Sequence, residues 1–194
     1  MVLLSFKLFG VSVWAYRLPA LIFFLISLRY TFLFSKKYHN EQIAWLATII
    51  LATSQHIIMS NTDVRAEPYL MALVIGSIYH ISCLEEEYNY KHLLFGALLT
   101  ACAIMTKGIF VMVAIYGALL GQLFFKKKIK SVFQRKWLFL GLLTLIFTLP
   151  EFYALYTQFD MHPDITVFYR KGVSGIKWFL WDSQFGRFVN NGPI

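Results

Sequence analysis

Six apolar stretches, each set off by a short charged or turn-forming connection, constrain this chain more than any other feature of its sequence. A helix that crosses about 30 Å of hydrocarbon needs about 20 mostly apolar residues, and only helices or closed barrels satisfy every backbone polar group in lipid. The stretches run over residues 13–34, 43–60, 69–84, 93–105, 109–125 and 137–155. They predict an all-α polytopic membrane bundle of about six helices over residues 1–155, with a mixed polar and aromatic tail over 156–194 expected to be an amphipathic element lying in the outer-face interface. With 58% hydrophobic and 14% charged residues, the chain falls outside the composition of soluble domains.

The formal net charge of +8 does not imply nucleic acid. The cations cluster in short loops between apolar runs, where they read as topology signals and contacts to anionic membrane lipids. Met1 to Leu8 has no cleavable signal pattern, so the first span is expected to serve as its own insertion signal. Cys83 and Cys102 lie in different apolar runs, towards opposite leaflets, and read as small buried residues rather than a disulfide or metal pair.

Lys and Arg in short loops favour the cytoplasm. The two most basic loops, Lys36 to His39 and Lys126 to Lys136, fall on one side of a six-span chain, which is therefore assigned to the cytoplasm. Alternation then gathers the N-terminal segment, the loop Asn61 to Pro68, the Thr106-Lys107-Gly108 break and the tail on the outer face. Asp63, Arg65, Glu67, Lys107 and Arg187 thereby share one predicted surface, with Asp182 and Gln184 lining it.

Carboxylates and cations mixed at a membrane boundary suit a ligand with a lipid tail and an anionic head. Lys and Arg hold a phosphate, Arg bidentately, while a carboxylate accepts a proton from a hydroxyl or holds a divalent cation. Glu67 precedes Pro68, a favoured first-turn residue, and the helix dipole favours a carboxylate there. Structural alternatives stand beside each role. Asp63 and Glu67 cap a helix or pair with Arg65, and Lys107 is a snorkelling anchor. Asp160 and His162 read as surface loop, and His56 and His80 as packing or interhelical hydrogen-bonding residues.

The segments Phe9-Gly10-Val11-Ser12, Tyr16-Arg17-Leu18-Pro19, Asp63 to Leu70, Met105-Thr106-Lys107-Gly108 and Trp181 to Phe188 resemble, in order, the landmarks of a known family. These are the polyprenol-phosphate-sugar-dependent membrane glycosyltransferases of the GT-C fold, which include protein O-mannosyltransferases and the lipid A aminoarabinose transferase. The resemblance implies transfer of a sugar from a polyprenyl phosphate to a lipid or protein acceptor on the outer face of a bacterial inner membrane. It implies that Glu67 is the acidic residue of the second outer loop, and that Lys107 and Arg187 lie near the donor phosphate. Gln184 stands where some relatives carry a metal-linked histidine. The resemblance also implies an N-terminal helix and a catalytic acid ahead of Met1 and further helices after Ile194, so a fragment inactive by itself is expected. A transporter or a non-catalytic membrane scaffold is the competing reading; the single break at Lys107 and the lack of an internal repeat count against transport.

Overall fold

Apolar sequence with few breakers makes long helices, and the computed structural model, which describes residues 1–167 and 169–186, is built from them. Helices α1 (Val2–Phe9), α2 (Val13–Tyr38), α3 (Glu41–Ala52), α4 (Gln55–Thr62) and α5 (Glu67–Glu86) come first. Then follow α6 (Tyr90–Lys107), α7 (Val111–Phe125), a 3₁₀ turn (Ile129–Phe133) and α8 (Arg135–Leu155). Beyond α8 lie a π-helical turn (Tyr156–Asp160), a hairpin of β1 (Thr166–Val167) and β2 (Arg170–Lys171), and α9 (Gly175–Lys177), which runs into a second π turn (Trp178–Asp182). The chain is an all-α integral membrane protein apart from that hairpin.

Among the described residues, three helices are long and apolar enough to cross a membrane: Val13–Tyr38, Glu67–Glu86 and Arg135–Asp160. The pair α3 and α4, bent by 51°, supplies a fourth crossing if it counts as one span. The expected count of about six spans is thus not confirmed by helix length and apolar character. The second stretch breaks at Thr53-Ser54, where the Thr53 hydroxyl donates to the carbonyls of Ile49 and Ile50 and Ser54 turns extended, a competition that bends helices. Helices α6 and α7, of 18 and 15 residues, rise about 27 and 22 Å at 1.5 Å per residue. Neither reaches 30 Å of hydrocarbon.

The chain folds as two units, Met1–Leu99 and Thr100–Ile194. In the first, α2 packs along α5 and α3. Small side chains hold the contact, with Ala15, Ala20, Ser27, Ala44, Ala72 and Ser77 buried, as expected where helices associate without a hydrophobic drive between them. A Cβ at Gly76 would come within 2.9 Å of both the Tyr30 ring and Leu99, so the backbone approach there depends on glycine. His80 bonds the Tyr30 hydroxyl at 3.1 Å and His92 Nδ1 at 2.8 Å, the interhelical role read for it. Lys37 pairs with Glu86.

In the second unit the tail folds back on the end of α8. Asp160 accepts from the Gly175 amide at 3.1 Å, Gly175 sits against Phe159, and Phe179 meets Phe152 edge-on at 6.0 Å. Asp160 is thereby a structural acceptor. Both cysteines are free thiols.

Candidate functional site

The loop between α4 and α5 is held by a Schellman closure. The Arg65 amide donates to the Ser60 carbonyl at 3.0 Å and the Val64 amide to Asn61 at 3.4 Å, which satisfies carbonyls that the helix end would otherwise leave open. The left-handed position of that motif is normally glycine; here it is Val64, with φ of 52°. A β-branched residue in this region is strained, by about 1–3 kcal/mol. Val64→Gly is accordingly expected to raise stability by about 1 kcal/mol, net of glycine's greater chain entropy, as measured by thermal unfolding in detergent.

Asp63 and Arg65 pair with each other across the loop at 2.8 Å, both about half exposed. An exposed pair of this kind contributes little, roughly 0–1 kcal/mol. It nevertheless orients both side chains. Glu67 opens α5, with Pro68 next, as the sequence predicts. Its Oε2 is buried and has no hydrogen-bond partner among the described residues, and the same holds for Asn61 Oδ1 and Tyr69 Oη. The Tyr69 ring rests on Phe23, with centroids 4.9 Å apart. Orphaned buried polar atoms cost about 1–3 kcal/mol each, and these three lie close together in sequence, at the end of α4 and the start of α5.

Beside this loop lies an open cavity of about 320 Å³ lined by Val13, Trp14, Arg17, Leu18, Leu21, Asn61 and Thr62. Its walls are mostly apolar, and Arg17 is the cation in them. Arg17 forms no ion pair among the described residues. Ser12 starts α2 by accepting from the Ala15 amide at 3.2 Å, which sets Val13, Arg17 and Leu21 one turn apart along the cavity side. The sequence reading named Arg17 as a landmark without a role and passed over Asn61 and Tyr69. The available signal was a cation one turn inside an apolar run, a placement that usually reflects function.

In the second unit, Lys107 is the last residue of α6 and is exposed. Gly108 follows at φ of 93° and turns the chain into α7. Gln184 lies against this turn: its Nε2 is 2.9 Å from Ser183 Oγ and 3.5 Å from the Lys107 carbonyl. The tail motif and the Thr-Lys-Gly break, far apart in sequence, are thus neighbours. Asp182 ends the π turn next to them. Arg187 lies outside the described residues.

No group of three or more His, Cys, Asp or Glu among the described residues is placed to hold a metal ion. The Asp63 carboxylate is taken by Arg65, which leaves Glu67 as a lone acidic donor in its loop. These residues do not make a divalent-cation site by themselves.

No match to the chain was found among curated proteins or among solved structures. The model of the dolichyl-phosphate-mannose-protein mannosyltransferase family matches residues 1–153. That match covers α1 to α8 and takes in the Arg17 cavity, the Asp63–Glu67 loop and Lys107. This chain therefore belongs to the dolichyl-phosphate-mannose-protein mannosyltransferase family of membrane glycosyltransferases.

Proposed function

We propose that the chain takes part in moving a sugar from a polyprenyl-phosphate donor to a hydroxyl or phosphate of a lipid or protein acceptor on the outer face of a bacterial inner membrane. The observation that carries this reading is an apolar cavity holding one cation, Arg17, beside a loop whose Glu67 carboxylate oxygen is buried without a partner. An amphiphile with an anionic head fits such walls. Arg17 meets the head group and the apolar residues meet the first isoprene units. The family resemblance, not the arrangement of the two units, is what gives Lys107, Arg187 and Arg65 the departing phosphate and the stabilisation of the charge that develops on it. Glu67 accepts a hydrogen bond from the acceptor hydroxyl, and the Asp63–Arg65 pair holds the loop in place.

A photoreactive polyprenyl phosphate added to membranes containing the chain tests this reading. Adducts are expected at Trp14, Leu18 and Leu21, and Arg17→Gln should reduce labelling about tenfold, the equivalent of roughly 1.4 kcal/mol of lost binding. Labelling spread evenly over the lipid-facing helices, unchanged by Arg17→Gln, would reject the reading.

The outer-face assignment has a separate check. Cysteines placed at positions 63 and 183 should react with an impermeant reagent from outside the cell, and reaction from the cytoplasmic side alone would overturn the shared face. The bent α3–α4 pair is the one feature that favours a transporter. That alternative predicts sugar or ion flux into sealed vesicles that stops when the bend is relaxed by Thr53→Ala, which removes the hydroxyl bonded to the Ile49 and Ile50 carbonyls.

A further inference from the structure

From Tyr88 to Pro150 the sequence contains no Asp or Glu, and the connection between α7 and α8 concentrates the cations of that stretch. Helix α7 ends in a second Schellman closure: the Lys128 amide donates to the Leu123 carbonyl at 2.8 Å and the Lys127 amide to Phe124 at 3.0 Å. Lys127 takes the left-handed position, with φ of 56°, where glycine is the usual residue. The 3₁₀ turn Ile129–Phe133 follows. It is tied at both ends, by the Ser131 amide to the Lys128 carbonyl at 2.8 Å and by the Trp137 indole N–H to the Ser131 carbonyl at 2.8 Å. The connection therefore has a fixed shape.

That shape presents Lys127, Lys128 and Lys130 exposed, with no ion pair to any of them among the described residues. Between and beside these lysines stand Phe125, 85% exposed, and Phe133, 91% exposed. Topology alone requires the positive charge but neither the ordered turn nor the two bare phenyl rings. Cations next to exposed aromatics in one short element match the boundary between head groups and acyl chains of an anionic leaflet.

We propose that the α7–α8 connection is a docking surface for anionic phospholipid of the cytoplasmic leaflet. Lys127, Lys128 and Lys130 contact the head-group phosphates, and Phe125 and Phe133 enter the acyl boundary beneath them. This surface uses none of the residues of the proposed outer-face site, and it shares with that reading the assignment of the basic loops to the cytoplasmic side.

The test uses the whole chain, purified in mild detergent and stripped of lipid, with retained lipid counted by native mass spectrometry. Phosphatidylglycerol is expected to be retained over phosphatidylcholine, with the preference falling as salt is raised. The triple variant Lys127→Gln, Lys128→Gln, Lys130→Gln should weaken phosphatidylglycerol retention roughly a hundredfold, on the order of fivefold for each cation near an anionic surface. Phe133→Ser, which keeps every charge, should weaken it about tenfold through lost apolar burial. Equal retention of the two lipids by the native chain overturns the proposal, as does native-level phosphatidylglycerol binding by either variant. Displacement of the lipid by millimolar glycerol phosphate, a head group without acyl chains, would likewise refute a membrane source.

Discussion

Gly108→Ala should lower the unfolding midpoint by roughly 10 °C, more than alanine at any other glycine whose surroundings are compared below. Two costs meet at this residue. Its φ of 93° belongs to a region that side chains rarely adopt, and a Cβ built there lies 2.1 Å from Gln184 Nε2 and 2.6 Å from Gln184 Cδ. Backbone strain of about 1–3 kcal/mol adds to a smaller cost, about 1 kcal/mol, of moving the flexible end of the Gln184 side chain aside. A total of roughly 2–4 kcal/mol at about 2–4 °C per kcal/mol gives the expected shift. The other glycines separate the terms. At Gly172, with φ of 69° and nothing within 4 Å, alanine should show the strain alone. At Gly117 and Gly121, in the body of α7 with open space around them, alanine should be neutral or slightly stabilising.

The decisive comparison is the double variant Gly108→Ala with Gln184→Ala. Removing the Gln184 side chain should restore the packing part of the loss and leave the strain, a non-additivity expected of residues in contact. Strict additivity would show that Gln184 does not press on the turn. Because Gly108 follows Lys107 directly, the single variant also re-aims the lysine, so donor-lipid labelling should fall with stability.

The sequence announced the membrane bundle because hydropathy acts through composition, and Lys, Arg and the apolar residues differ widely on that axis. It was silent on the break at Thr53-Ser54, because small hydroxyl residues are neutral in hydropathy and bend a helix only through the carbonyls they choose. Helix α1 was missed for a related reason. Eight residues are too few to register as a span, even though the residue that ends the helix, Gly10 at φ of 76°, is of the type that commonly stops one. The π turns after α8 and α9 have no sequence signature at all. Within the candidate site, Glu67 was legible because Pro68 marks a helix start, and Lys107 because glycine follows it. Asn61 and Tyr69 were not: their interest lies in buried oxygen atoms without partners, a property of packing that single residues do not advertise. Arg17 was visible as a misplaced charge, but its cavity is made by α2 and the end of α4 together.

Glu67→Gln separates stability from function most sharply. The native carboxylate has an oxygen buried with no partner among the described residues, and burying a charged oxygen in that state is costly. Glutamine keeps the shape and removes the charge. Stability should therefore hold or rise by about 1 kcal/mol, as is common where a functional site is less stable than its surroundings allow. Sugar transfer should fall at least about a hundredfold, the lower end of what a positioned proton acceptor contributes. It is best measured in membranes of cells that carry the substitution in place of the native residue. Asp63→Asn provides the contrast. Asp63 is exposed and bonded to Arg65, so its loss should change stability by less than about 1 kcal/mol and reduce transfer only to the extent that the loop loosens. Near-normal transfer by Glu67→Gln would remove Glu67 from the reaction. A steep fall in its unfolding midpoint would instead make the carboxylate a structural group whose partner lies elsewhere, and the orphaned oxygens of Asn61 and Tyr69 would then need the same explanation.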